Sequence, residues 1–281
     1  MAMPMPPPEI LSTISRDQIN ALMLTCFRMK VAPHHPKKMI RKYLFIFGIC
    51  MAASATFAQA EEAISFQKGQ YAIGSGAAKA PQNEQPQHQV SLAGYSIDKR
   101  PVSVSEFINF LNTLLPRENG AISCPPSRQG IIGQLEPPQE IKRLVRLPSY
   151  WLILEEGGFA PNGIDGDSPV FNVSWDGADA YCRAAGKKLP TEAQWEAACT
   201  DKEKRPLLDT RGEWTDDWYS PDYYRKAPNT EPLNNENTGL KSVRGGADKQ
   251  RKISCSSRSG SRPDTAVINR TFRCASRAAA D

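Results

Sequence analysis

The run from Pro169 to Cys199 constrains this chain more than any other, because it spells out two short helices together with their starts and one stop. It reads P-V-F-N-V-S-W-D-G-A-D-A-Y-C-R-A-A-G-K-K-L-P-T-E-A-Q-W-E-A-A-C. Ser174 has the short hydroxyl side chain that caps a helix N-terminus. Ala178, Tyr181, Cys182 and Ala185 follow on one helical face, and Gly186 supplies the residue that ends such a helix. Thr191 and Gln194 form a capping box, which opens a second short helix carrying Trp195 and ending near Cys199.

The remainder reads as short elements joined by turns. Residues 64–100 are β-rich: Gln70 to Gly74 and Gln89 to Ile97 alternate, split by a polar loop with Pro81 and Pro86. Ser103 and Glu106 form another capping box. Phe107, Phe110, Leu111 and Leu114 then follow at helical spacing until Pro116 stops the helix. Residues 117–168 mix Pro, Gly and charge and read as loop-rich, within the same domain. The stretches 212–219, 243–246 and 257–275 read as short strands. There is no internal repeat.

Charge excludes one class of function. Residues 1–60 hold seven basic side chains and two acidic ones. Of 35 Lys+Arg and 30 Asp+Glu in all, residues 61–281 therefore keep 28 of each. That balance lacks the basic footprint of a nucleic-acid binder. The first sixty residues have their own logic. Arg41 and Lys42 precede an apolar run from Tyr43 to Ala55, and Ala58-Gln59-Ala60 is an A-x-A cleavage pattern, so residues 39–60 are read as a signal peptide cut before Glu61. Residues 1–38 are read as an upstream extension, with translation beginning at Met39. Residues 61–281 are then an exported, periplasmic chain with no segment apolar enough to span a bilayer.

Removal of the leader leaves Cys124, Cys182, Cys199, Cys255 and Cys274. In an oxidising compartment four of them form two bridges and one is left over. His88 is then the sole histidine, which rules out a multi-histidine metal site. It could act as a base, but a structural place in a strand is the reading favoured. Asp248 with Lys249, Arg251 and Lys252 reads as a solvated charge run rather than an acid–base pocket. Asp216 and Asp217 are calcium ligands by residue type alone, and a solvated turn is favoured. Trp214, Trp218 and Tyr219 read as core rather than as a ligand groove. There is no P-loop, G-x-G-x-x-G, C-x-x-C, H-E-x-x-H or G-x-S-x-G.

Taken in order, the motifs resemble the formylglycine-generating enzyme, or sulfatase-modifying-factor, family. Pro169-Val170, Val173-Ser174-Trp175 and Ala180-Tyr181-Cys182 are similar to its P-V-x-x-V-S-W-x-x-A-x-A-Y-C signature. Gly186 to Glu196 resembles its G-K-R-L-P-T-E-A-E-W-E core. Glu213-Trp214-Thr215 with Asp217-Trp218-Tyr219, Arg244-Gly245-Gly246 and Thr271 to Ala275 resemble its later motifs. The match runs over about residues 68–278. The resemblance implies an α+β fold that is compact and loop-rich, with C-type-lectin-like topology, few short helices and small antiparallel sheets.

The resemblance also carries implications for chemistry. It implies disulfides Cys182–Cys274 and Cys199–Cys255, with Cys124 unpaired. Active members hold copper(I) on two cysteines just after the Gly-Gly motif, soft ligands for a soft ion. Here the candidate pocket lip is Ala247, Asp248, Lys249 and Gln250, and no cysteine occurs before Cys255. Copper is therefore not expected. The calcium-bearing excursion of the family is reduced to Thr200–Arg211, so calcium and other metals are not expected either. The implied function is a periplasmic binding or accessory module, a pseudoenzyme whose partner is an envelope protein or small ligand. The alternative is a cysteine-independent enzyme tailoring a secreted metabolite, such as a siderophore precursor. An oxidase acting on sulfatases comes third.

Overall fold

The computed structural model describes residues 63–125, 135–147, 149, 151–201, 203, 211–246, 254–267 and 270–278. The expected extension 1–38, the signal peptide 39–60 and the lip residues Ala247, Asp248, Lys249 and Gln250 lie outside the described residues.

Three helices form where side chains cap their first turns. Helix α1 (Val104–Thr113) starts at a capping box in which Ser103 accepts the Glu106 N–H and Glu106 accepts the Ser103 N–H. After a short helix α2 (Gln139–Leu144), helix α3 (Trp175–Ala184) starts where the Ser174 hydroxyl accepts the Gly177 N–H. Just past its end Gly186 stands at φ 72°, the left-handed conformation that releases the chain. Helix α4 (Glu192–Thr200) has the Thr191/Gln194 box. A last short turn, α5, covers Tyr223–Lys226.

The strands are short. They are β1 (Ala63–Phe66), β2 (Gly69–Ile73), β3 (His88–Leu92), β4 (Tyr95–Asp98), β5 (Arg117–Glu118), β6 (Ala121–Ile122), β7 (Leu152–Glu155) and β8 (Gly158–Pro161). They continue with β9 (Gly212–Trp218), β10 (Lys241–Gly245), β11 (Arg258–Ser261), β12 (Arg270–Thr271) and β13 (Ala275–Arg277). One sheet has the order β1-β4-β13 and another β11-β10-β9-β12, where β12 runs parallel to β9. The pairs β2-β3, β5-β6 and β7-β8 are antiparallel.

The structure departs from the sequence expectation in two places. The alternating run Gln89 to Ile97 is two strands, not one: β3 pairs with β2, and β4 lies between β1 and β13 in another sheet. The break falls at Ala93-Gly94, where the Ala93 N–H donates to the Glu231 carboxylate instead of to a neighbouring strand. The stretch 117–168 is also more ordered than loop. Its hairpin β7-β8 delivers Leu152, Leu154 and Phe159, and Trp151 just before it, into the core.

The core has two parts. One gathers Phe107, Phe110 and Leu111 of α1 with Trp151, Trp214 and Phe272. The other packs Phe66, Val90, Leu92 and Ile97 on Ala193, Ala197 and Ala198, whose small side chains let α4 approach the strands closely. Two disulfides tie the pieces. Cys182 of α3 is bonded to Cys274, and Cys199 of α4 to Cys255. These are the pairings the resemblance implies. Cys124 is free and half-buried against the first core. Among the described residues no helix is long and apolar enough to cross a membrane.

Candidate functional site

The site is built outward from α4. Residues four apart share a helical face, so Glu192 and Glu196 project together, and both are buried. A buried carboxylate needs a cation, and two arginines from neighbouring strands supply it. Arg258 of β11 grips Glu192 with both arms, Nε at 2.7 Å and Nη2 at 2.9 Å. Arg244 of β10 donates to Glu196 at 2.6 Å and to the Tyr224 hydroxyl at 2.6 Å. The same arginine reaches the Cys255 carbonyl at 2.6 Å. Tyr224 in turn donates to Glu196 at 2.7 Å. Burial works against the Glu192 carboxylate, yet Arg258 and Arg244 hold its pKa below the usual carboxylate range.

The neighbouring helix position makes a second fork. Trp195 Nε1 donates to Glu213 at 2.9 Å, and Arg273 clasps the same carboxylate at 2.6 and 2.7 Å. Arg273 also donates to the carbonyls of Asp98 and Lys99. The T-E-A-x-W-E run, the most specific string in the sequence, therefore spends its polar atoms on structure. It locks β9, β10, β11 and the Arg273 segment around one helix.

That scaffold delivers the Gly245-Gly246 turn. Both glycines have positive φ, 65° and 82°. A Cβ on Gly245 would lie 3.2 Å from the Trp195 ring, and one on Gly246 would lie 3.1 Å from the Gly212 backbone. A side chain at either position would press on its neighbours and sit in a left-handed backbone that favours glycine. Near Gly212, Arg270 stacks over Trp214 at 5.4 Å, with its Nε buried and unbonded, and burial lowers its pKa.

The acidic pair on β9 departs from the expectation of a solvated turn. Asp217 is fully buried: one oxygen accepts the Glu192 N–H at 2.8 Å and the other the Asn234 N–H at 2.9 Å. Burial and the charge of Glu192 push its pKa up to about 7, against those two donors. Its oxygens are occupied by backbone, so it does not fit a calcium ligand. Asp216 is half-buried, and its carbonyl takes the Lys241 ammonium at 2.7 Å. Among the described residues no three His, Cys, Asp or Glu side chains are placed to hold a metal. Sequence reasoning missed Lys241, whose ammonium lies 3.8 Å from the Trp175 ring and 4.3 Å from that of Trp218. Its lone place in a polar stretch gave no signal.

The other singled-out residues have structural surroundings. His88 opens β3, with Nδ1 3.0 Å from the Pro86 carbonyl and its ring edge-on to Tyr224. Trp214 is buried and donates to the Val173 carbonyl. Tyr219 accepts from Asn83 and stacks on Arg258. The sequence also did not reveal a cleft of about 440 Å³ between residues 142–147 and 262–266.

This arrangement, a loop-rich α+β scaffold drawn around a helix with three buried arginine–glutamate pairs, defines a class before it defines a chemistry. The family described as "Sulfatase-modifying factor enzyme 1-like domain" matches residues 51–207, and the chain belongs to that family. The chain is 26% identical to a formylglycine-generating enzyme of Streptomyces coelicolor, over 74% of this chain and 86% of that protein. It is 29% identical to the "Serine/threonine-protein kinase Pkn1" of Chlamydia trachomatis serovar L2 over 76% of its own length, but spans only 38% of that protein. Among solved structures, PvdO from Pseudomonas aeruginosa shares the fold, with a TM-score of 0.52 at 15% identity over 78% of this chain and 95% of that one.

Proposed function

We propose that this chain is a periplasmic binding module on the sulfatase-modifying-factor scaffold, and that it does not generate formylglycine. The observation that carries this reading is the Cys199–Cys255 disulfide. A family-type copper(I) centre needs two thiolates beside the Gly-Gly turn. Residues 247–254 contain no cysteine, Cys255 is already bonded, and Cys182 and Cys274 are bonded to each other. The residues present do not fit the ion. Cys124, with its pKa raised by burial, is a poor thiolate. Export rests on the apolar run and A-x-A site at residues 43–60. What the scaffold retains is a rigid frame for loops, suited to holding an envelope protein or a small ligand.

The test is a copper(I) titration of the purified chain against a chelator, followed by incubation with a cysteine-containing sulfatase peptide in air. The expected result is no stoichiometric copper uptake and no change in peptide mass. One copper per chain with conversion of the cysteine would overturn the reading. Turnover of a host metabolite would favour the tailoring enzyme instead.

A further inference from the structure

The cleft beside helix α3 has the chemistry of an anion site. One wall carries Lys142 and Arg143 of α2 and Arg146 just beyond it; the other carries Arg262, Asp264 and Thr265. Two of the four cations are already neutralised. Lys142 pairs with Glu136, and Arg262 holds Asp264 through Nε at 3.1 Å and Nη2 at 2.9 Å. Arg143 and Arg146 remain. Both are exposed, and among the described residues neither guanidinium has an ion pair or hydrogen bond. Asp176, in the first turn of α3, feels the charges of both Arg143 and Asp264.

The two walls are held in register by one strip of backbone. On the first side the Arg146 N–H donates to the Asn172 carbonyl at 3.0 Å, and the Ser174 N–H to the Leu144 carbonyl at 3.0 Å. The Ser174 hydroxyl donates to the Arg143 carbonyl at 2.7 Å. On the second side the Trp175 N–H donates to the Pro263 carbonyl at 2.9 Å, and the Asn172 N–H to the Val267 carbonyl at 3.2 Å. Thus the short stretch that caps α3 also sets the width of the cleft. Preorganised walls lower the ordering cost of binding. Two exposed guanidinium forks, with no hydrogen bond or ion pair among the described residues and facing a cleft of about 440 Å³, match the planar or tetrahedral oxygens of an oxyanion.

We propose that this cleft binds a small multivalent oxyanion, a phosphate ester or a polycarboxylate, through Arg143 and Arg146. The inference rests on the binding-module reading and names its class of ligand. Calorimetric titration of the full chain uses two probes in parallel, pyrophosphate and citrate. At least one is expected to bind one per chain, and more weakly as salt rises. Pyrophosphate alone identifies a phosphate group, and citrate alone a carboxylate ligand. The double variant R143Q/R146Q should weaken binding by about tenfold or more, with its urea midpoint unchanged because both side chains are exposed. R225Q, a surface arginine on α5, should leave affinity within about twofold. If the double variant does not fold, R143Q and R146Q singly carry the same test. Binding of neither probe, binding indifferent to both arginines, or equal weakening by R225Q would overturn the proposal. The copper titration is read separately. An active oxidase that still captures pyrophosphate through these arginines would sink the binding-module reading and spare this one, whereas silence in both experiments would do the reverse.

Discussion

At the scale of single residues, the decisive feature is charge taken out of water. Arg244 is wholly buried and serves Glu196, Glu192, Tyr224 and the Cys255 carbonyl. Replacing it by methionine of similar length would leave Glu196 buried without its cation, though Arg258 would still hold Glu192. Breaking a buried pair from one side costs about 3–5 kcal/mol, so Arg244→Met should lower the urea unfolding free energy by that order. Asp217 offers a titration with a definite sign. Its pKa is raised to about 7 in the fold, so the folded state binds this proton more tightly than the unfolded chain does. Its contribution to stability is complete below the unfolded carboxylate range and is lost as pH rises through about 7. Urea midpoints measured between pH 5.5 and 8 should fall with pH. Asp217→Asn should flatten that slope while starting lower, because its amide group faces one of two backbone donors. A slope unchanged in the variant would show that another group titrates.

At the scale of elements, the short helices depend on their first turns, since helices of this length are marginal in isolation. Thr191→Ala removes the acceptor of the Gln194 N–H in α4 and should cost about 1 kcal/mol, read as a shift in urea midpoint. Ser174 is a costlier position than its role as cap alone suggests, because its hydroxyl also reaches the Arg143 and Leu144 carbonyls. The end of β10 has a different requirement. Gly246→Ala would place a Cβ 3.1 Å from the Gly212 backbone at φ 82°. The left-handed conformation costs about 1–2 kcal/mol for such a residue, and the contact adds to it. We expect loss of stability together with faster amide hydrogen exchange at Gly212 than in the parent chain.

At the scale of the whole molecule, two disulfides span chain separations of 92 and 56 residues. Closing loops of that length contributes on the order of 4 kcal/mol each in the chain-entropy view. The double variant Cys182→Ala/Cys274→Ala should therefore lose about 2–5 kcal/mol, measured by urea denaturation under non-reducing conditions. Cys199→Ala/Cys255→Ala should be comparably damaged, with the Arg244 contact to the Cys255 carbonyl disturbed as well. A loss well below 1 kcal/mol in both would mean that the buried arginine clasps alone hold these segments. The same long connections explain what could be read early. Helix caps at Ser103, Ser174 and Thr191 are local chemistry, settled within four residues, and so is the stop at Gly186. The family's motif order was likewise legible in the string of residues. The partners of Glu192, Glu196 and Glu213 were not, because Arg258, Arg244 and Arg273 lie 66, 48 and 60 residues away. Local patterns do not record which distant cation reaches a given carboxylate. For the same reason Gln89 to Ile97 looked like one strand until its two halves found different sheets, and Asp217 looked solvated until α4 was laid across it. By itself the sequence determined where α1, α3 and α4 begin, where α3 stops, and which thiols are missing beside Gly246. The tertiary structure alone decided which charges are buried together and which two arginines face an open cleft, because burial and long-range pairing depend on the path of the whole chain.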